Sequence, residues 1–160
     1  MNYLQIILSA AKMAKISGAI LVAVCSHESG LRNTVVKNDG GSPSIGICQV
    51  KQETAVMLGY KGTPEGLMNP QTNAKYAAKY LKKQYDRYQN WCKAIAAYNA
   101  GRYNESLREP GHPKNLKYVL NVRKKLNKQF QKNVSCDKVS SGDKDVAENN
   151  GYRLRIQSTK

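Results

Sequence analysis

Apolar residues recur at helical spacing in most segments of this chain, whereas clean apolar–polar alternation never extends beyond a few positions. Residues 31–49 are rich in Asn, Gly, Ser and Pro, which predicts a loop or a small irregular hairpin. The pattern therefore predicts a mainly α-helical protein, with helices at about residues 3–15, 17–29, 51–58, 72–88, 91–100 and 116–130.

One folded unit is expected, since 160 residues can bury a core without extra cross-links. From about Asn133 onwards the composition turns to Ser, Asp, Lys, Asn and Gly, which is typical of a loosely ordered segment. The sequence therefore predicts one domain at residues 1–132 and a polar, basic tail at residues 133–160.

The chain is strongly basic, with 26 Lys and Arg against 11 Asp and Glu, a formal charge of +15 and a pI near 9.8. This charge favours anionic partners: nucleic acid, an anionic membrane surface or an anionic cell wall. Charge alone does not choose among them, because it carries no geometry. A basic cluster marks the last predicted helix: Lys114, Lys117, Arg123, Lys124, Lys125 and Lys128.

The sequence indicates neither a membrane-spanning or signal segment nor a metal or redox centre. The apolar run at residues 16–25 is well short of the roughly 20 residues that span a bilayer, and the N-terminus lacks the basic start of a signal peptide. The four cysteines have no CxxC spacing, which argues against a zinc or thioredoxin-like centre. We expect Cys25 and Cys48 to be buried free thiols. With His27 and His112 as the only histidines, no metal and no cofactor are expected.

Glu28 is the first candidate for chemistry, because it ends an otherwise apolar helical face. Leu21, Val24, Cys25 and Glu28 stand at positions i, i+3, i+4 and i+7. Partial burial and the negative end of the helix dipole both disfavour the charged form, so a raised pKa is expected for Glu28. A raised pKa suits a general acid that protonates a glycosidic oxygen. The alternative is a glutamate that simply reaches solvent at a helix end.

Two further segments place polar groups where a ligand could meet them. Asn99 ends the apolar face of another predicted helix and Tyr98 adjoins it, and an amide and a phenol both suit sugar hydroxyl and acetamido groups. An Asn there could equally cap the helix. In residues 44–50, Gly46 and Ile47 precede a glutamine, which suggests backbone brought close to a ligand.

Six short strings occur in a fixed order, and together they resemble the Slt-type lytic transglycosylases, especially the small forms of phages and secretion systems. The similarity covers about residues 16–126. The strings are HESG (27–30), SIGICQV (44–50), TAVMLG (54–59), NPQTN (69–73), AIAAYNAG (94–101) and NLKYV (115–119).

This resemblance implies a lysozyme-like fold, with the irregular hairpin following the catalytic helix, and peptidoglycan glycan strands as the substrate. It implies that Glu28 is the sole catalytic carboxylate, and that Gln49, Tyr98, Asn99 and Tyr118 lie on the substrate side. Cys48 replaces the family's usual Met, a change that keeps the pocket apolar.

Residue 44 bears on the reaction. Animal-type lysozymes, which the segment at 38–50 also resembles, carry an aspartate two residues before the glycine, and this chain has Ser44 there. A retaining hydrolase needs two carboxyl groups about 5 Å apart, and Ser44 cannot be the second. The resemblance implies instead that the sugar's own acetamido and C6 hydroxyl groups act, giving 1,6-anhydromuramoyl ends. Ser44, Gly46, Ile47 and Gln49 are then expected near the substrate.

Two alternatives remain open. A muramidase could hydrolyse the same bond with Asp39 as the second carboxylate, or the chain could be a non-catalytic cationic module that binds walls. The basic surface could attach to anionic wall polymers or outer-membrane lipids, or it could be an ordinary solvated face. No nucleic-acid motif is found, and we expect a monomer. The expected settings are a phage lysin released by a holin, a virion-associated enzyme, or a mature secreted or periplasmic form.

Overall fold

Helices supply most of the described chain, which is residues 2–137 of a computed structural model. None of the described helices is long and apolar enough to cross a membrane. The helices are α1 Tyr3–Ala14, α2 Gly18–Ser29, α3 Gln52–Met57, α4 Pro70–Tyr88, α5 Trp91–Ala100, α6 Leu116–Lys124 and α7 Lys128–Gln131, with a 3-10 turn at Glu65–Met68 and strands β1 Val35–Asp39, β2 Ser42–Ile45 and β3 Val50–Lys51.

Local signals set the helix ends. The Ser17 side chain accepts a hydrogen bond from the Ile20 amide at the start of α2, and Gly30 closes the helix in the left-handed conformation. Asn69 and Asn90 cap α4 and α5 in the same way. The predicted bounds of α2 and α5 are therefore confirmed, and the chain is mainly α-helical as expected.

The core forms around α4, which packs between α1 and α5, while α2 packs against α1 and α6. Small side chains on α4, such as Ala74, Ala77 and Ala78, are fully buried and let the neighbouring helices approach closely. The largest fully buried aliphatic side chains come from several elements: Ile7, Ile20, Leu21, Ile47, Leu67, Leu81 and Ile95.

The predicted hairpin is a three-stranded antiparallel sheet in the order β1-β2-β3, directly after α2. Val36 pairs with Ser44, and Ser44 pairs with Lys51 on the other side. The β1–β2 register shifts between Val36 and Asp39. Such an irregularity bends a strand and changes the direction of its side chains, here at Asp39.

The last predicted helix is wrong in its extent. The apolar spacing of residues 116–130 continues, but α6 ends at Lys124 and α7 starts at Lys128. Asn127 separates them, because its side chain accepts a hydrogen bond from the Phe130 amide and so caps a new helix. The 3-10 turn at Glu65–Met68 lies between two predicted helices, at residues for which no helix was predicted.

The prediction of free thiols was also wrong. Cys25 is joined to Cys48, and Cys92 is joined to Cys136. The first bridge ties α2 to the segment between β2 and β3, and both of its cysteines are fully buried. The pairing depends on spatial proximity that no local spacing reveals, with Cα atoms 4.2 Å apart across 23 residues of chain.

Residues just past 132 belong to the packed part of the protein. Val134 is 1% exposed, and Cys136 is bonded to α5 through Cys92. The packed chain therefore extends beyond the predicted domain end at residue 132. Residues 138–160 of the predicted tail lie outside the described residues.

Removing the first bridge should destabilise the fold. We expect the pair Cys25→Ala and Cys48→Ala to lower the free energy of unfolding by about 3 kcal/mol, because a bridge closing a loop of this length restricts the unfolded chain. Urea denaturation at neutral pH measures the loss. The matched pair Cys92→Ala and Cys136→Ala opens a longer loop and should cost slightly more, and an unchanged midpoint in both would contradict the prediction.

Candidate active site

An open cavity lies between the end of α2, the sheet and the end of α5. Five of the residues predicted from the sequence line it: Glu28, Ser44, Gln49, Tyr98 and Asn99. Asp39, the second carboxylate of the muramidase alternative, lines it as well. The other lining residues are Val50, Lys51, Thr54, Tyr80, Ala100 and Gly101. The cavity therefore brings together the predicted polar residues of three separate segments.

Glu28 lies in the last turn of α2, where the helical period aligns it with the apolar core face. The side chain is half-buried, and Oε1 accepts a hydrogen bond from the Tyr118 hydroxyl. Burial raises the pKa of Glu28, the Tyr118 hydrogen bond lowers it in part, and the charge of Asp39 raises it further. The carboxyl group therefore holds its proton to higher pH than an exposed glutamate does, as the sequence predicted.

Tyr118 does not line the cavity, but it contacts the candidate acid directly. Burial and the negative charge of Glu28 raise the pKa of Tyr118 well above its ordinary value, so the phenol keeps its proton and acts as a donor. The His27 ring meets the Tyr118 ring edge-on, with centroids 4.9 Å apart. Burial and nearby Lys125 lower the pKa of His27, which favours its neutral form at this packing position.

Asn73 of α4 organises the backbone beneath the cavity. Its buried amide donates to the carbonyls of Ile45 at 2.7 Å and Leu67 at 2.9 Å, and its oxygen accepts from the Cys48 amide at 2.9 Å. Ser29 fixes the same segment from α2, since its hydroxyl donates to the Ile47 carbonyl at 2.7 Å. These bonds hold the segment between β2 and β3 against both helices.

Gly46 and Ile47 do not line the cavity. Both are buried, and Gly46 has a φ of +82°. A Cβ at this position would overlap the Asn73 side-chain amide. The glycine does allow a close approach, as its sequence context suggested, but the partner is a side chain of the protein itself rather than a ligand.

Gln49 and Tyr98 line the cavity with side chains that are already hydrogen-bonded. The Gln49 amide nitrogen donates to the carbonyls of Thr34 at 3.1 Å and Gly46 at 2.8 Å. The Tyr98 hydroxyl donates to the Cys48 carbonyl at 2.9 Å, and burial raises the pKa of Tyr98 well above its ordinary value. Both groups therefore brace the cavity wall, and the Tyr98 ring rather than its hydroxyl is left to face a ligand.

Asn99 is exposed at the end of α5, and Gly101 rather than Asn99 closes that helix. The Asn115 side chain donates to Asn99 Oδ1 at 2.9 Å and to the Ala96 carbonyl at 3.0 Å. Asn115 therefore orients the Asn99 amide, whose nitrogen remains available to a ligand as a donor.

The sheet contributes Asp39, Ser44 and Lys51 to the lining of the cavity. Ser44 is buried, and its hydroxyl donates to Asp39 Oδ2 at 2.5 Å. The Lys51 ammonium group donates to the Asp39 backbone carbonyl and lies 3.9 Å from Oδ2. Ser44 therefore contacts a carboxylate of the protein, and Asp39 is held in place from two sides.

Sequence reasoning missed several residues that build this site. Asn73 lay in the NPQTN string and Asn115 in the NLKYV string, so the strings contained a signal that was not assigned to single residues. Thr54 likewise lay in the TAVMLG string. Lys51 of β3 and Tyr80 of α4 had no local signal, since they reach the cavity only through the packing of their elements. No group of side chains suited to hold a metal ion is found among residues 2–137.

Replacing the candidate acid should stabilise the folded state. The raised pKa of folded Glu28 means that stability is lost as pH rises from the unfolded to the folded pKa, so an ionised Glu28 is unfavourable at neutral pH. We expect Glu28→Gln to raise the free energy of unfolding by roughly 1 kcal/mol at pH 7 and by less at pH 4. Thermal unfolding at both pH values tests this, with the exposed Glu65→Gln as control. An equal gain at both pH values would argue against the assignment.

The comparison with known families adds a finding independent of this geometry. A family model described as the transglycosylase SLT domain matches residues 5–120. The match covers most of the chain and includes Glu28, the sheet, α5 and Tyr118. The mainly helical fold with one small sheet agrees with the lysozyme-like architecture expected of that family. The chain therefore belongs to the SLT transglycosylase family, whose members are lytic transglycosylases acting on peptidoglycan.

Proposed function

We propose that this protein cleaves the β-1,4 bond between N-acetylmuramic acid and N-acetylglucosamine without water, leaving 1,6-anhydromuramoyl ends. The observation that carries the proposal is Glu28, a half-buried carboxyl group with a raised pKa that lines an open cavity in a domain of this family. Ser44 supports the proposal, because animal-type lysozymes carry their second carboxylate at this position and this chain has a serine there.

One carboxyl group can serve both halves of this reaction. Glu28 first gives its proton to the glycosidic oxygen as the C1–O4 bond breaks and the acetamido oxygen bonds to C1. The C6 hydroxyl then attacks C1, the acetamido oxygen leaves, and the hydroxyl proton passes to Glu28. No water is consumed and the enzyme returns to its starting protonation state. Asn99 and the Tyr98 ring are assigned to the sugars, while Tyr118 holds the carboxylate.

A second candidate is hydrolysis of the same bond, and one observation favours it. Asp39 lines the same cavity as Glu28, and its negative charge raises the pKa of Glu28. A second carboxylate of this kind could activate water. The two reactions leave different ends on the glycan, so the products distinguish them.

Peptidoglycan digestion tests the reaction. We expect the wild-type protein to release muropeptides lighter by one water than the hydrolytic products, and Glu28→Gln to release at least 10³-fold less, because it has no proton to give. Mass spectrometry of products from purified peptidoglycan measures both. Reducing-end products would replace this proposal with hydrolysis, and no products at all would favour the non-catalytic cationic binder.

The Tyr118 hydrogen bond should set the pH range of activity. Since it lowers the pKa of Glu28, Tyr118→Phe should raise that pKa and move the alkaline limb of the kcat/KM profile to higher pH. Turnover should fall by roughly 10-fold as the carboxylate loses its orientation. Tyr3→Phe is the matched control, because it makes the same substitution at a partly buried tyrosine of α1 that does not line the cavity. A limb that moves to lower pH would contradict the assignment.

Two features support a setting outside the reducing cytoplasm. The disulfides favour an oxidising compartment, such as the periplasm or the cell exterior, where peptidoglycan is also found. The net charge of +15 suits anionic wall polymers or outer-membrane lipids near the substrate. Three settings fit both features: a phage lysin released by a holin, a virion-associated enzyme, or a secreted form. In each, the protein would act as a monomer on glycan strands, with no nucleic acid as partner.

A further inference from the structure

The Asp39 side chain is 55% exposed, but it lines the cavity and has contacts with residues on two neighbouring strands. Asp39 ends β1 at the register shift, which changes the direction of its side chain relative to a regular strand. The buried Ser44 hydroxyl donates to Oδ2 at 2.5 Å, and Lys51 fixes the backbone carbonyl. Ser44 of β2 and Lys51 of β3 therefore both hold Asp39 at the cavity wall.

One oxygen of this carboxylate remains for a ligand. The contacts from Ser44 and Lys51 both fall on Oδ2, and within residues 2–137 no side chain or backbone amide donates to Oδ1. The other polar groups around the cavity are largely occupied: the Tyr98 hydroxyl, the Gln49 amide nitrogen and the Asn99 amide oxygen each have a protein partner. Apart from Glu28, Asp39 is the only carboxylate among the lining residues.

The reaction has a donor that such an oxygen would fit. When the acetamido oxygen bonds to C1, positive charge spreads onto the acetamido nitrogen and its N–H becomes a stronger hydrogen-bond donor. An ionised acceptor fixed beforehand stabilises such a charge more in the transition state than in the ground state. Substrate-assisted glycosidases rely on the same participation by the acetamido group.

We propose that Asp39 is a second catalytic residue, whose Oδ1 accepts the N–H of the muramoyl acetamido group while Glu28 acts on the glycosidic and C6 oxygens. Asp39 forms no covalent bond and keeps no proton, so the balance of the reaction is unchanged. Ser44 and Lys51 are positioning residues that act through Asp39. The inference rests on the proposed non-hydrolytic reaction, and it gives Asp39 a role other than activating water.

The first test is the rate of Asp39→Asn on purified peptidoglycan. We expect kcat to fall by about 10²-fold with KM little changed, because a neutral amide oxygen is a weaker acceptor for a developing cation. The remaining products should still be anhydro forms, since the C6 hydroxyl still attacks C1. Asp39→Ala should lose more activity than Asp39→Asn.

The second measurement separates catalysis from a structural effect. The charges and titratable groups that face Glu28 are Asp39 from β1, Tyr118 from α6 and Tyr98 from α5. Removing the Asp39 charge should lower the pKa of Glu28 and move the alkaline limb of kcat/KM to lower pH. Asp39→Glu keeps the charge but displaces the oxygen, so it should lose turnover while the limb stays in place.

Asp86→Asn is the matched control, since Asp86 is an exposed carboxylate on α4 paired with Lys82. It removes the same charge and should change neither the rate nor the limb. Unfolding midpoints establish that each variant is folded. If Asp39→Asn does not fold, Asp39→Glu still tests the inference.

Each outcome has one meaning. Anhydro products from the wild type together with an unchanged rate in Asp39→Asn would overturn this inference while the proposed function stands. A loss of rate with an unmoved limb in Asp39→Asn would assign Asp39 a structural role in the sheet and would also overturn it. Reducing-end products from the wild type would end the proposed function itself, and this inference with it.

Discussion

The buried amide of Asn73 is the interaction on which the cavity depends. Its two donated hydrogen bonds and one accepted bond connect α4 to the chain between β2 and β3. An unpaired amide here would cost its full desolvation energy, because no water reaches it, so these bonds fix the segment in one place. Gly46 leaves the space that this amide occupies, and the Cys25–Cys48 bridge ties the same segment to α2. The sheet is thereby held at the same cavity as Glu28.

Holding the sheet there sets the electrostatics of the acid. Burial disfavours an ionised Glu28, and the charge of Asp39, which lines the same cavity, acts in the same direction. The Tyr118 hydrogen bond acts in the opposite direction and limits the rise in pKa. A carboxyl group under opposing influences of this kind can lose a proton in one step and regain it in the next. The cost is a folded state that is less stable when Glu28 is ionised.

Many of the polar side chains that line the cavity are hydrogen-bonded to other groups of the protein. Tyr98 donates to the Cys48 carbonyl, Gln49 to two backbone carbonyls, and Asn115 to Asn99. Groups with fixed partners do not need to reorganise as charge develops, which is the advantage of a preorganised site. The side chains that retain free capacity for a sugar are then few, and their positions are set by the folded protein before any glycan binds.

The sequence by itself determined α2 and the place of Glu28 at its end, because the caps at Ser17 and Gly30 and the apolar period between them are local. Only the tertiary structure decided which distant residues contact one another within the chain. Tyr118 meets Glu28 across 90 residues, and the cysteines expected to be free are bonded across 23. Gly46 proved to face Asn73 rather than a ligand. Spacing along a chain specifies which face of a helix a residue occupies, but contacts between distant segments depend on how the faces pack, which no local pattern encodes.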